Sequence, residues 1–186
     1  MRYSVSHKQQ TKEKLLQSSA ALAKKEGFAN VGVDGLMKAI GLSGGAFYSH
    51  FSSKDELFGS IVERELSQSL ERLGAGDAQN RERLDRCLKF YLSMAHVEQA
   101  ESGCALPSMG AEIARSDVAV REHAQTWICR LHANWARTLE SESLAWAILS
   151  QCVGALVVAR MMVDPHLQSQ VLSSSYQELS RRIADH

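Results

Sequence analysis

Residues 33–51 read VDGLMKAIGLSGGAFYSHF, and this stretch decides the fold of the N-terminal part of the chain. It contains a short helical segment, a glycine and a second short helical segment, which are the parts of a helix-turn-helix. Gly41 supplies the backbone freedom that a tight turn between the two helices requires. The apolar residues around this turn predict a core face, made of Leu36, Ile40, Leu42, Phe47 and Phe51.

The second short helix leaves a small polar face toward solvent. Small and hydrogen-bonding side chains allow a helix to approach the edges of bases in a DNA major groove. Residues 1–60 carry 8 Lys and Arg against 5 Asp and Glu, although the whole chain has 21 of each. This basic N-terminal third favours a polyanion as the partner at that end of the protein. The outward residues are Gly44, Gly45, Ala46, Tyr48, Ser49 and His50.

The remaining sequence shows helical spacing of apolar residues and no sustained alternation with a period of two. We therefore predict an all-α protein of about nine helices, with a three-helix DNA-binding head and a C-terminal helical core. The predicted domains are residues 1–53, which bind DNA, and residues 54–186, which bind an effector and dimerise. Helix 54–73 connects the two, and a flexible joint follows at Gly74–Asp77. The predicted helices span 11–26, 31–40, 44–50, 54–73, 79–101, 107–115, 117–139, 140–163 and 167–184.

Several classes of protein are excluded by the sequence. The polar stretch Met1–Gln10 lacks an apolar signal core. The apolar run Val153–Val163 is interrupted by Arg160 and is too short to span a bilayer. The four cysteines lie far apart, and no histidines combine with them or with carboxylates at ligand spacing, so we predict no metal and no cofactor. No nucleophile–base pair is evident, so we predict that the protein is not an enzyme. Since neither an export signal nor a membrane span is evident, we predict a cytoplasmic protein that does not contact a membrane.

The stretch GLSGGAFYSHFSSKDELF at residues 41–58 resembles the recognition segment of TetR-family transcriptional regulators. The stretch TKEKLLQSSAALAKKEGF at residues 11–28 is similar to the first helix of that family. Residues 103–112 and 117–125 are similar to a branch of the family that includes electrophile- and flavonoid-responsive repressors. The resemblance implies a homodimer with two DNA-binding heads. It also implies a repressor that leaves a palindromic operator when a small apolar or aromatic effector binds the helical core.

The resemblance also assigns roles to residues of the recognition segment. Tyr48, His50 and Lys54 match the positions that contact phosphates, and a helix N-terminus at Lys54 also favours an anion. Ser43 matches a capping position. Gly44, Ala46 and Ser49 match positions that approach bases. The basic N-terminal arm either adds backbone contacts or is a solvated tail. The predicted DNA-binding set is Ser43, Gly44, Gly45, Ala46, Tyr48, Ser49, His50, Lys54 and Lys12, and the arm consists of Arg2, His7, Lys8 and Lys12.

Three positions depart from the family pattern. Met37 stands where alanine is usual, so the two helices are expected to cross at a slightly greater distance. Gly44 stands where a basic or large residue is common, so we expect few direct contacts to bases. DNA shape is then expected to contribute much of the specificity. Gly32 replaces a serine or threonine that caps the preceding helix and touches phosphate.

Effector-binding candidates lie in the C-terminal core. Cys104 follows Gly103 and precedes a helix N-terminus, an environment that can lower the pKa of a thiol. An alternative function is therefore a repressor switched when an electrophile or oxidant modifies Cys104, whereas an inert buried cysteine would carry no such role. Core packing is the alternative for the tryptophans. The predicted pocket residues are Phe90, Tyr91, Met94, Cys104, Met109 and Trp127.

The last two helices carry apolar stripes that include small residues. The resemblance implies that such a pair of helices in each subunit forms a four-helix dimer interface. The alternative from the residues alone is that both stripes fill the core of the monomer. The predicted interface residues are Ile148, Cys152, Ala155, Leu156, Ala159, Leu172, Tyr176 and Leu179.

Overall fold

The computed structural model describes residues 5–74 and 81–185, and it describes side chains in the first helix from residue 8 onward. These described ranges contain nine α-helices, two 3-10 helices and no strand, as the sequence predicts. The helices are α1 (Val5–Glu26), α2 (Val33–Lys38), a 3-10 helix (Gly44–Ser49), α3 (Lys54–Leu73), α4 (Arg81–Tyr91), α5 (Met94–Glu98), a second 3-10 helix (Ala100–Ser102), α6 (Ala105–Arg115), α7 (Val118–Leu139), α8 (Glu142–Met161) and α9 (Pro165–Asp185).

Two glycines end helical segments of the head in the left-handed region, where an L side chain would be strained. Gly27 has φ +83° and follows α1, and Gly41 has φ +75° in the turn after α2. Phe47 and Phe51 are buried behind this turn, as predicted. Leu42 is not buried, because 38% of its surface is exposed, so the prediction that it belongs to the core face is wrong. Met37 of α2 is completely buried.

Helix α3 begins with a pair of reciprocal capping hydrogen bonds. The Ser53 hydroxyl accepts from the Glu56 amide at 3.0 Å, and the Glu56 carboxylate accepts from the Ser52 amide at 2.7 Å. Such caps satisfy backbone donors that the first helical turn leaves without partners. These Ser52 hydrogen bonds, from its hydroxyl first and its amide second, lower the pKa of Glu56. The start of the connecting helix is therefore fixed as the sequence predicts.

The apolar core of the head continues into the C-terminal part of the chain. One cluster joins Phe47 and Phe58 of the head and α3 to Met109 of α6 and Val120 of α7. A second cluster fills the space between α4, α7, α8 and α9, and contains residues such as Trp135. The head therefore shares one apolar core with α6 and α7.

The predicted single helix over 79–101 is interrupted in the structure. Helix α4 ends at Tyr91, and α5 begins at Met94 with Ser93 as its N-cap residue. The break turns the chain so that the His96 ring packs edge-on against the Tyr91 ring, with centroids 4.6 Å apart. The His96 Nδ1 also lies 2.8 Å from the Tyr91 carbonyl oxygen. These local contacts replace the helical hydrogen bonds that the apolar spacing alone predicted.

Helix α8 is long and apolar enough to cross a membrane by length and composition. One side of it packs against α7 and α9 in the second core cluster. This packing accounts for the apolar residues of that side. The predicted joint at Gly74–Asp77 lies mostly outside the described residues, and only Gly74, the C-cap residue of α3, is described.

Candidate DNA-binding surface and ligand cavity

The 3-10 helix presents part of the predicted recognition set to solvent, while Gly44, Ala46 and the following His50 are half-buried. Phe47 anchors this helix in the core, and the neighbouring Tyr48 is 68% exposed. The Tyr48 ring packs edge-on against Phe47, with centroids 5.3 Å apart, so the phenol is held at the surface. Gly45 and Ser49 are also exposed. The segment therefore exposes a short face of small and hydroxyl-bearing side chains over an aromatic anchor.

The two serines of the predicted set differ in their hydrogen bonding. The Ser49 hydroxyl donates to the Ala46 carbonyl oxygen at 2.7 Å, so Ser49 meets a base most readily as an acceptor. Ser43 occupies the N-cap position of the 3-10 helix, as predicted, but its hydroxyl forms no capping hydrogen bond. This hydroxyl is on an exposed residue and can face a phosphate.

Gly44 lies against a carboxylate that the sequence analysis did not single out. A Cβ built on Gly44 would overlap the Asp34 Oδ1 atom of α2. A Cβ on Gly45 would meet no atom within 4 Å. A larger residue at position 44 would therefore have to displace the Asp34 side chain. This contact gives a structural reason for the departure from the basic or large residue that the family pattern favours.

Three cationic or titratable side chains lie beside the recognition helix. Burial lowers the pKa of His50 the most, and the charges of Lys8 and Lys12 lower it further. His50 is therefore neutral at neutral pH and can offer a ring N–H to a phosphate, and its Nδ1 has no hydrogen-bond partner within the described chain. The Lys12 ammonium lies 4.6 Å from the centroid of the Phe51 ring. Arg2 and the side chain of His7 lie outside the described residues.

Lys54 occupies the first position of α3, where the sequence predicts it. Its ammonium donates to the Ala29 carbonyl oxygen at 3.3 Å and lies 4.7 Å from the centroid of the Phe28 ring. These contacts hold the charge at the helix N-terminus, which itself favours an anion. The side chain is thus positioned before any DNA is present.

A cavity of about 530 Å³ lies in the C-terminal part, beside α3, α4 and the segment that leads into α6. Of the predicted pocket residues, Phe90, Tyr91 and Cys104 line this cavity. Trp127 lines an adjoining space of about 10 Å³, which shares Ser69, Leu73, Tyr91 and Cys104 with the cavity. Met94 lines neither space, and the buried Met109 belongs to the core that continues into the head. The sequence analysis missed the other lining residues, which are Ser69, Arg72, Leu73, Arg83, Arg86, Cys87, Ala95, His96, Gln99, Ser102 and Gly103.

Cys104 is the N-cap residue of α6 and is buried at the cavity wall. Its amide donates to the His96 Nε2 at 2.9 Å, so the neutral His96 ring carries its proton on Nδ1 and donates it to the Tyr91 carbonyl. Burial raises the pKa of Cys152, so its thiol stays protonated. Cys129 is exposed.

The head of this chain is similar in sequence to known regulatory proteins. Residues 15–61 match the family described as bacterial regulatory proteins, tetR family. This match covers the helix-turn-helix head and the first part of α3. A curated relative, the uncharacterized HTH-type transcriptional regulator YerO of Bacillus subtilis (strain 168), is 36% identical over 62 residues. That match covers 33% of this chain and 22% of the relative.

Solved TetR-type structures show the same fold over nearly the whole chain. A TetR transcriptional regulator from Chloroflexus aurantiacus J-10-FL superposes with a TM-score of 0.80 and 22% identity, covering 95% of this chain and 96% of that one. The reduced form of NemR from E. coli gives a TM-score of 0.78 and 20% identity, covering 92% and 96% of the two chains. At these identities the similarity establishes a TetR-like fold for the C-terminal part.

A buried ion pair joins α1 of the head to α3, and its lysine also contacts the cavity wall. The Lys24 ammonium of α1 lies 2.7 Å from the Glu65 Oε2 of α3. The same ammonium donates to the Gly103 carbonyl oxygen at 3.1 Å, and Gly103 lines the cavity. The Glu112 carboxylate of α6 accepts from the Phe28 amide at 3.0 Å, at the end of α1. The cavity wall and the first helix of the head therefore share direct polar contacts.

The residues predicted for the dimer interface lie inside the chain, with one exception. The exception is Tyr176, which is half-buried and donates its hydroxyl to Asp85 at 2.8 Å. Their burial agrees with the alternative, in which both stripes fill the core of the monomer. Side chains that are buried against their own chain cannot meet a partner. The buried residues are Ile148, Cys152, Ala155, Leu156, Ala159, Leu172 and Leu179. The other side of α8 carries exposed apolar residues instead, namely Trp146, Val157, Val158 and Met161.

Proposed function

We propose that this protein is a DNA-binding transcriptional regulator that represses by binding a palindromic operator as a homodimer. The observation that carries the proposal is the recognition helix, where Tyr48 and Ser49 are exposed over the buried Phe47 anchor. Lys12 and His50 border this face and suit contacts to phosphate oxygens. The match of residues 15–61 to TetR regulators supports the same role, and a cytoplasmic location accompanies it.

The proposed dimer forms through the outward face of α8 and not through the stripe inferred from the sequence. Met161 is 72% exposed, and Val157 and Val158 are exposed one turn before it. Gly154 continues this face, and a Cβ there would meet no atom within 4 Å. An exposed apolar face next to a small residue permits close approach of a second copy. Two copies would then present two recognition helices to half-sites about 34–36 Å apart, or a multiple of that distance.

The proposed effector binds the cavity of about 530 Å³ and releases the operator. Its wall includes Gly103, whose carbonyl accepts from Lys24 of the head helix α1. A ligand that displaces residues 102–104 would break this bond and alter the position of α1. Because two heads must fit two half-sites at once, a small change in their separation costs contacts on both sides.

The recognition surface is tested with Tyr48→Ala combined with His50→Ala. We expect the double variant to lose specific DNA binding and to keep its helical content, measured by circular dichroism. Phe90→Ala is the matched control, because Phe90 is an exposed aromatic residue at the cavity and far from the recognition helix in the sequence. Specific binding that persists in the double variant would show that the recognition surface is wrongly assigned.

A second candidate is a switch driven by covalent modification of Cys104. The observation that favours it is the position of the Cys104 thiol on the cavity wall, where a bound electrophile would reach it. An α,β-unsaturated carbonyl compound would form a bond from its β-carbon to Sγ, and the thiol proton would pass to its α-carbon. Cys104→Ser should abolish a response to such compounds and leave a response to a reversible ligand intact. An unchanged electrophile response in Cys104→Ser excludes the switch.

A further inference from the structure

The cavity carries more positive charge than the apolar pocket predicted from the sequence. Three arginines line it, Arg72 from α3 and Arg83 and Arg86 from α4. No aspartate or glutamate is among its lining residues in the part of the chain that the structure describes. Glu82 lies one turn from Arg86, with 3.8 Å between the charged atoms, and balances that arginine on the exposed side of α4.

Arg72 is held across the edge of the cavity by backbone carbonyls. Its Nε donates to the Gln68 carbonyl oxygen at 3.3 Å, and its Nη1 donates to the Ser102 carbonyl oxygen at 3.4 Å. Both hydrogen bonds are long, and both acceptors are uncharged. No carboxylate pairs with Arg72 within residues 5–74 and 81–185. A guanidinium has five N–H donors, so two such bonds leave donors for a ligand.

A further cation, Arg160, reinforces the positive charge behind the wall. Arg160 donates to the His96 carbonyl oxygen at 2.6 Å and to the Ser108 hydroxyl at 2.8 Å, and neither partner carries a charge. Burial lowers the pKa of the cavity residue His96 the most, and the charges of Arg160, Arg72 and Lys24 lower it further. The contribution of these positive charges, unlike that of burial, also favours an anion at the same place.

The inner part of the cavity is apolar. Tyr91 and Cys104 are buried there, and Leu73 and Ala95 add aliphatic surface. Burial raises the pKa of Tyr91, so its ring remains an uncharged surface. An occupant must therefore combine an apolar body with a charge at one end.

We infer that the ligand of this cavity is a small organic carboxylate with an apolar body, bound through Arg72. The inference rests on the proposed effector role of the cavity, and it adds a negative charge to the apolar or aromatic effector expected from the sequence. The carboxylate accepts hydrogen bonds from the Arg72 guanidinium, and the apolar body lies against Tyr91 and Leu73. Because Arg72 also holds the Ser102 carbonyl, an anion competes for the donor that ties α3 to residues 102–104.

The test compares three probes of equal shape, naphthalene-2-carboxylate, naphthalene-2-carboxamide and 2-naphthylmethylamine, by isothermal titration calorimetry without DNA. We expect the carboxylate to bind at least about tenfold more tightly than the amide, since charge-assisted hydrogen bonds are roughly twice as strong as neutral ones. The ammonium probe should bind more weakly than the amide. Arg72→Gln should reduce carboxylate affinity to that of the amide and leave amide affinity unchanged.

Lys89→Gln is the matched control, because Lys89 is an exposed cation on α4 that does not line the cavity. This variant should leave all three affinities unchanged. The inference is overturned by equal affinities for acid and amide, by tighter binding of the amine, or by no saturable carboxylate binding at millimolar concentration. An equal loss for acid and amide in Arg72→Gln would also overturn it. Since the titration contains no DNA, these results are independent of whether the head binds an operator.

Discussion

Lys24 is the residue whose replacement tests most sharply how the head is attached to the cavity wall. The side chains of Lys24 and Glu65 are each only 4% exposed, and their charged atoms lie 2.7 Å apart. Lys24→Met keeps an unbranched chain of similar length but removes the charge. It leaves the Glu65 carboxylate buried with Arg64 at 3.1 Å, and it removes the donor to the Gly103 carbonyl.

The expected cost follows from the desolvation of the remaining charge. Removing one partner of a buried ion pair typically costs about 3–5 kcal/mol. Because Arg64 still pairs with Glu65, we expect the lower end, about 3 kcal/mol of unfolding free energy. For a chain of this length each kcal/mol lowers Tm by about 2–4 °C, so Tm should fall by roughly 6–12 °C. Replacing both residues, as Lys24→Met with Glu65→Met, should restore all but about 1 kcal/mol, because an apolar pair needs no desolvation.

Urea unfolding followed by circular dichroism measures these free energies, at one fixed protein concentration because dimerisation would contribute to stability. Lys25→Met is the matched control, since Lys25 is the exposed neighbour in the same last turn of α1. It should change stability by less than about 1 kcal/mol, which includes its interaction with the helix dipole. A Lys24→Met variant within about 1 kcal/mol of the parent would refute the reasoning. A double variant as unstable as the single one would refute it as well.

Three further outcomes are expected. Lys54→Ala should weaken binding to all DNA sequences and reduce the slope of binding affinity against salt concentration by about 0.9, the value for one phosphate contact. Ser49→Ala should instead change the preference at one base position. Identical effects of both variants on specific and random DNA would contradict this division. Met161→Glu should convert the dimer to monomer in analytical ultracentrifugation, and Val118→Glu, an exposed apolar residue on α7, should not; a dimeric Met161→Glu variant would exclude the α8 face. Because burial lowers the pKa of His96, its contribution to stability is present above about pH 6.5 and is lost as the pH falls through its depressed pKa. His96→Gln should therefore flatten the acid limb of the stability curve measured by urea unfolding, and an unchanged limb would contradict this assignment.

The head was predictable because its signals are local. Gly27 and Gly41 both adopt positive φ at helix ends, where the sequence places them, and Phe47 and Phe51 are buried as their spacing predicts. Leu42 was wrongly placed in the core, since 38% of its surface is exposed, whereas Met37 of the preceding helix is completely buried. Which of two nearby apolar side chains is buried is decided by packing and does not appear in a periodic pattern.

The C-terminal part was less predictable because its helices are apolar on several sides. In α8, Leu156 is buried and its neighbours Val157 and Val158 are exposed, yet all three are equally suited to a core or to an interface. Periodicity therefore could not separate the face that packs within the chain from the face that remains outside. The interface residues inferred from the sequence were taken from the inward face.

The cavity was partly missed because its lining comes from segments that are distant in sequence. Arg72 of α3 and Arg86 of α4 meet Gln99 and Ser102 only in the folded chain. The helix break after Tyr91 brings the latter residues to the site, and the uninterrupted helix predicted there would have placed them elsewhere. The signal that could have identified the charge was Arg72 near the end of α3, which has no acidic residue three or four positions away in the sequence.

The most direct test of the account is a mobility-shift assay with the DNA that flanks the gene for this protein. Binding is compared with random competitor DNA at two salt concentrations, and the mass of the complex gives the number of chains. The account predicts a specific complex that contains two chains and weakens as salt increases, because phosphate contacts release counterions. Equal affinity for flanking and random DNA at both salt concentrations, or no complex from a folded dimer, would contradict the central claim that the head reads an operator.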